Sequence, residues 1–194
     1  MAGCKPFQPN EVQKVLSHFQ ADTALRDKAI FILGIRSGFR ISEILSLRLS
    51  DVLFNGEVVD RVRVERRYMK GKVSSREVVL HPEAKAALAT WINQLKQKET
   101  AAPETYLFLS RKGDNKPINR KQYFRILKAA SDKAGVTGAI ATHSMRKTFA
   151  NRVYEKLNFD LVKMQKALGH RNISSTIQYL SFRQEDIDDA ILAA

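Results

Sequence analysis

The spacing of apolar residues shortens once in this chain, and that change constrains the class of fold. On either side of residues 57–80, apolar side chains recur every three or four positions, the period of a helix with one buried face. Within 57–80 the period falls. Val58, Val62 and Val64, then Val78, Val79 and Leu80, mark two or three short strands, and Lys70-Gly71-Lys72-Val73-Ser74-Ser75-Arg76 reads as the turn between them. The expected fold is therefore α+β and mainly α, with a small antiparallel sheet of about three strands.

Punctuation residues set the helix boundaries. Asn10 is expected to cap a first helix through about Gln20, with Val12, Val15, Leu16 and Phe19 inward and residues 1–9 as a lead-in. Asp27 to Ile35 reads as a buried helix broken near Ser37-Gly38, and Ile41, Ile44 and Leu45 stripe a short helix ending near Leu47. Pro82 suits the first turn of a helix striped by Ala84, Ala87, Leu88, Trp91 and Leu95. Tyr106 to Ser110 reads as extended. Asn119 caps a helix with Tyr123, Ile126, Leu127 and Ala130 inward, stopped by Gly135. Helices follow at about Ser144–Leu157, at Leu161–Leu168 from an Asp160 cap, and at Ser174–Ser181, with a last short one over Asp186 to Ala193. No Pro/Gly/Ser-rich linker interrupts this series, so residues 1–194 are expected to form one domain, with 182–194 as a C-terminal tail.

Charge narrows the partner. Lys and Arg number 33 against 20 Asp and Glu, a net charge of +13 with a pI near 10.0. Such a balance favours a polyanion, usually nucleic acid. The basic residues are spread along the chain rather than gathered on one amphipathic helix, which disfavours a membrane surface. No apolar run approaches the ~20 residues of a membrane span, and Met1-Ala2-Gly3-Cys4-Lys5 does not open a secretory signal. Cys4 is the single cysteine, so neither an internal disulfide nor a thiolate metal site is expected. A cytoplasmic protein without metal or cofactor is the simple expectation.

The stretch from His143 to Tyr179 carries the chemistry. His143 and Arg146 lie three apart, and His170 precedes Tyr179 by nine. Fixed positive charge, proton carriers and an oxygen nucleophile are the parts needed to break a phosphodiester without a metal. Arginine stays charged and binds two phosphate oxygens at once. A tyrosine hydroxyl, with a free pKa of ~10, needs a base or cationic surroundings to attack. Attack at phosphorus stores the bond as a phosphotyrosyl ester, so rejoining needs no ATP. Arg40, after a Gly-Phe turn, supplies a second clamp. A lysine in the turn between strands is a sensible acid for the leaving oxygen; Lys72 is the choice, with Lys70 the rival on the same face of an extended segment. Taken singly, each residue has an ordinary reading: a surface charge, a helix-capping histidine, a half-buried tyrosine. Together they fall in four short boxes, around Arg40, Lys72, His143 to Arg146, and His170 to Tyr179.

Those boxes resemble the tyrosine recombinase (phage integrase) family over roughly Phe7 to Ser181. Gly38-Phe39-Arg40-Ile41-Ser42-Glu43-Ile44 resembles the first arginine box, and Lys72 to Leu80 resembles the hairpin that carries the family's lysine. Thr142-His143-Ser144-Met145-Arg146 is similar to the His-x-x-Arg box, and Leu168-Gly169-His170 through Tyr179 to the last box. The resemblance implies a site-specific DNA recombinase, working in integration, excision or inversion, whose Tyr179 attacks the scissile phosphate and holds a 3′-phosphotyrosine. Arg40 and Arg146 would clamp the phosphate, Lys72 protonate the leaving 5′ oxygen, His143 act in proton transfer and His170 hydrogen-bond the phosphate, with Glu43 supporting Arg40. It further implies double-stranded recombination sites as partners and a tetramer on DNA, and admits accessory DNA-bending proteins. With the first box at residue 40, the N-terminal core-binding domain of many members is expected to be absent, so the chain reads as either an isolated catalytic domain or a short member like the fimbrial inversion recombinases. Residues 182–194 would then be a tail or a helix exchanged between subunits. Two other functions stay open: DNA relaxation of the type IB topoisomerase kind, and a DNA-binding module inactive alone.

Overall fold

A computed structural model of the protein describes residues 3–64, 76–97, 102–180, 188 and 191–193. They fall into two compact units, Met1–Phe149 and Ala150–Ala194. No helix among the described residues is long and apolar enough to cross a membrane.

The first unit is organised around a buried helix. In chain order it contains α1 (Pro9–Ser17), α2 (Ala24–Ser37), α3 (Ile41–Ser46) and α4 (Leu49–Val52), then strands β1 (Leu53–Phe54), β2 (Glu57–Val58), β3 (Arg61–Val64) and β4 (Arg76–Val79). Helices α5 (Pro82–Lys96) and α6 (Arg120–Lys133) follow, and α7 (Thr142–Lys156) runs across the divide between the units. The middle turns of α2, residues 29–35, are apolar on all sides, and Ala29, Ile30, Phe31, Leu33 and Ile35 are fully buried. A helix hydrophobic all round belongs in the middle of a core. Leu88, Trp91, Ile92 and Leu95 of α5 and Tyr123, Leu127 and Ala130 of α6 join the same cluster. The Trp91 indole N–H donates to the Leu107 carbonyl at 2.7 Å, which satisfies the one polar atom that this ring buries.

One buried ion pair fastens α2. Arg26 and Asp27 are each 2% exposed, with Arg26 Nη2 2.7 Å from Asp27 Oδ1 and Nη1 donating to the Leu109 carbonyl. Burial pushes the Asp27 carboxyl above its ordinary range, and the Arg26 guanidinium works against that. The Tyr123 hydroxyl donates to the Asp27 carbonyl at 3.2 Å, so α6 reads the same turn of α2.

The strands form two antiparallel two-stranded ribbons among the described residues, β1 with β2 and β3 with β4. In the second, Val62 faces Val78 and Val64 faces Arg76. Val62 and Val64 are buried while Arg61 and Arg63 alternate outward, the period-two pattern of a half-buried strand. Arg76, which reads from the sequence as part of the turn, is the first residue of β4. Lys70 and Lys72 lie outside the described residues.

Several boundaries differ from the sequence reading. α1 begins at Pro9, so Asn10 is inside it rather than its cap; proline at the first helical position gives up an N–H that has no helical partner anyway. The Glu11 carboxylate accepts from the Gln8 N–H at 2.9 Å and closes that end. The lead-in is packed rather than loose: Phe7 is 3% exposed, edge-on to Phe31 at 5.2 Å, and its N–H donates to Thr148 Oγ1 at 2.8 Å. Helix α7 starts at Thr142, two residues earlier than expected.

The second unit contains the C-terminal part of α7, then α8 (Leu161–Leu168) and α9 (Ile173–Ile177). Asp160 caps α8 by accepting from the Lys163 N–H at 2.9 Å, and Asn172 caps α9 by accepting from the Ser174 N–H at 2.9 Å. The expected helix over Ser174–Ser181 closes at Ile177 and continues as a turn through Tyr179. The expected helix over Asp186–Ala193 falls mostly outside the described residues.

Candidate active site

In the first unit, the turn after α2 brings the two arginine boxes together. Gly38 ends α2 with φ +65, a left-handed conformation open to glycine. A Cβ on Gly38 would lie 2.4 Å from Phe149 Cδ1 and 2.5 Å from Cε1, so the Phe149 ring fills the space where a side chain would stand. The Gly38 carbonyl accepts from Arg146 Nη1, joining positions 108 apart in the sequence. One turn earlier on α2, a Cβ on Gly34 would come within 2.8 Å of Met145 Sδ and 3.0 Å of its Cβ. These two glycines let α7 approach α2 closely where α7 carries His143 and Arg146.

Arg40 follows that turn and opens α3. The Glu43 carboxylate reaches back to it twice: Oε2 accepts from the Arg40 N–H at 2.7 Å and Oε1 from Arg40 Nη1 at 2.8 Å. Glu43 has no exposed side-chain surface, whereas Arg40 keeps 20% of its own. A buried carboxylate thus holds an arginine whose outer face stays open. Such charge-assisted bonds are the shorter and stronger kind.

Because α7 starts at Thr142, His143 and Arg146 both lie in its first turns, three apart on one helix face. The Ser144 hydroxyl accepts from the Ala141 N–H at 3.1 Å and its N–H donates to the Ala141 carbonyl, pinning the entry to the helix. Arg146 is 1% exposed and His143 is half-buried. Burial lowers the His143 pKa below its ordinary value of 6.5, and the charges of Arg120, Arg146, Arg40 and Lys147 lower it further. Its imidazole is therefore neutral at neutral pH, the form that accepts a proton. In an NMR titration, His143 is expected to titrate below pH 6.5, and Arg120→Gln to move its midpoint upward by removing a repelling charge. A wild-type midpoint above 6.5 contradicts this account.

The second unit holds the other two residues of the expected set. Gly169 ends α8 in a left-handed turn, the His170 N–H donates to the Gln165 carbonyl at 3.1 Å, and Gln165 Nε2 donates back to the His170 carbonyl at 3.1 Å. His170 is 9% exposed, and its Nδ1 lies 3.0 Å from Thr176 Oγ1. The Tyr179 ring stands 5.2 Å from the His170 ring at a 42° tilt. Its backbone N–H donates to the Thr176 carbonyl at 2.9 Å, so Thr176 contacts both residues, one through its side chain and one through its backbone.

The structure thus groups Arg40, Glu43, His143 and Arg146 in one unit, and His170 with Tyr179 in the other. Two cations near the first group escaped the sequence reading. Arg120 is the first residue of α6 and is exposed; no local motif marks it. Arg76 approaches Glu43, with Nη2 3.7 Å from Oε2. Its signal was available: the Val62 and Val64 alternation, continued across a hairpin, puts Arg76 in a strand. Among the described residues, no group of three or more His, Cys, Asp and Glu is placed to hold a metal ion.

Residues 5–185 match the model of the phage integrase family. Among similar proteins, the probable integrase/recombinase YoeC of Bacillus subtilis is 29% identical over 181 residues, covering 93% of this chain and 91% of that protein. The type 1 fimbriae regulatory protein FimB of Escherichia coli is 30% identical over 156 residues, covering 80% of this chain and 73% of that protein. Among solved structures, the XerH site-specific recombinase bound to a palindromic difH substrate, a post-cleavage complex, superposes with a TM-score of 0.77 at 22% identity. That match covers 98% of this chain and 53% of the XerH chain, so this chain spans about half of that protein's length.

Proposed function

The chain belongs to the phage integrase family, and on that premise we propose that it cuts and rejoins DNA at specific sites through a 3′-phosphotyrosyl link to Tyr179. The Tyr179 oxygen attacks the scissile phosphorus, and the bond to the 5′ oxygen breaks. That oxygen takes a proton from Lys72 and leaves as a hydroxyl. Arg40 and Arg146 meet the charge that builds on the non-bridging oxygens, where such donors act most strongly. His143, kept neutral, accepts the tyrosine proton, and His170 hydrogen-bonds the phosphate. Reversal by a second 5′-hydroxyl rejoins the strand without an external energy source. The partners are double-stranded sites, and four copies assembled on them exchange strands.

One observation carries this reading furthest. Arg40 and Arg146, from boxes more than a hundred residues apart, converge on the Gly38 turn beside a neutral His143. Ordinary surface arginines need no buried carboxylate or buried carbonyl to hold them. The similarity to YoeC, FimB and XerH supports the same reading.

The test needs no known target. The protein is incubated with a pool of duplexes of random sequence, each nicked so that a cut strand diffuses away, and SDS-resistant complexes are recovered and sequenced. Enrichment of one motif is expected, followed by recombinant products when two copies of that motif are supplied. Binding that is never SDS-resistant contradicts cleavage. Relaxation of supercoiled DNA without recombinants favours the topoisomerase kind of activity.

The acid is tested on the same motif. Replacing the leaving 5′ oxygen by sulfur removes most of the need for a proton. Lys72→Ala is expected to be slow on the oxygen substrate and restored on the sulfur one. Restoration of Lys70→Ala instead transfers the role to Lys70.

A further inference from the structure

The buried Glu43 carboxylate faces two guanidiniums, and only one of them has a role in the chemistry above. Arg40 engages both of its oxygens. Arg76 Nη2 stands 3.7 Å from Oε2, inside ion-pair range though long for a hydrogen bond. Arg76 is 10% exposed, and its Cζ lies 5.3 Å from the centroid of the Phe39 ring, the residue just before Arg40. It therefore touches the first arginine box at two points, the Glu43 carboxylate and the Phe39 ring. It also opens β4, directly after the segment that carries Lys70 and Lys72 in the sequence.

Charge gives this contact its meaning. Arg40 and Glu43 alone form a pair of zero net charge, and in a buried setting their fields cancel with little help from solvent. A phosphate meeting such a pair gains far less than from a lone arginine. A second guanidinium beside the same carboxylate adds positive charge where Arg40 would meet a phosphate. Burial presses the proton affinity of Arg76 down, and Glu43 opposes that, while the Arg40 charge adds to it. Arginine stays protonated against such pressure.

We propose that Arg76 is a positioning residue of the DNA-cutting site: by sharing Glu43 it leaves the charge and fork of Arg40 available to the scissile phosphate, and it ties β4 to the first arginine box. The proposal rests on the role given to Arg40 above. A purely structural Arg76 would only hold β4 against α3.

A substrate without phosphate charge separates the two. The full chain cleaves nicked duplexes of the enriched motif whose scissile group is either an ordinary phosphate or a neutral methylphosphonate. Wild type, Arg76→Met and Arg76→Lys are compared in single-turnover assays, with thermal melting alongside. On the phosphate, Arg76→Met is expected to slow covalent capture ~10- to 100-fold, less than the ~10²–10³-fold of losing a direct donor. On the methylphosphonate it should run closer to wild type, because a methyl group replaces one non-bridging oxygen and less charge builds for Arg40 to meet. Arg76→Lys keeps the charge without the planar fork and should fall between. Equal slowing on both substrates, or none on the phosphate, overturns the proposal. Where Arg76→Met melts far below wild type, Arg76→Lys decides by the same comparison. Failure of wild type to capture the phosphate substrate overturns the cleavage reading itself, and this inference with it.

Discussion

Exchanging Arg146 for Lys is expected to slow strand cleavage by about 10²–10³-fold, the usual loss when one preorganised donor to a developing anion is removed. The charge survives this exchange, so the loss must come from geometry. Arg146 is 1% exposed and gives Nη1 to the Gly38 carbonyl. The proposed clamp needs a planar guanidinium, which can bond a carbonyl and phosphate oxygens at once; a lysine ammonium has no such fork. DNA affinity, which comes from many phosphate contacts, should change little. Single-turnover capture at saturating DNA reads the rate, and slowing of less than tenfold contradicts the clamp.

Gly38→Ala is the second large effect, and it acts first on stability. The left-handed backbone costs an L-residue roughly 1–2 kcal/mol. The added methyl would also meet the Phe149 ring at 2.4 Å, and overpacking of this kind adds about 1–3 kcal/mol. A total loss of about 2–5 kcal/mol is expected in urea unfolding. Phe149→Leu in the same chain should recover the overpacking part and leave the backbone part. A loss below about 1 kcal/mol would mean that the ring yields freely and that the turn is not held as described. The variant should also cut slowly, since the carbonyl that seats Arg146 belongs to the same residue.

Much of this arrangement was legible in the sequence because its signals are local. Asp160 before Leu161–Leu168 and Asn119 before Arg120–Lys133 cap their helices as side-chain chemistry dictates. Gly38 stops α2 where the pattern breaks. Each motif box is also local, which is why Arg40, His143, Arg146, His170 and Tyr179 can each be read within a short window. What escaped is non-local or too short. Strand β1 holds only two residues, below any periodicity window, although Asn55-Gly56 with both φ values positive is a strong hairpin signal. Burial of Phe7 depends on Phe31. The bond from Arg146 to Gly38, the Arg76 approach to Glu43 and the Arg120 charge on His143 all follow from tertiary packing, which no single window contains.

The central claim is that DNA becomes covalently joined to Tyr179. Captured complexes are digested with nuclease and protease, and the peptides are mapped by mass spectrometry. A nucleoside 3′-phosphate on the Tyr179 peptide is the predicted result, absent from Tyr179→Phe. An adduct on another residue, or one that persists in Tyr179→Phe, would contradict the account.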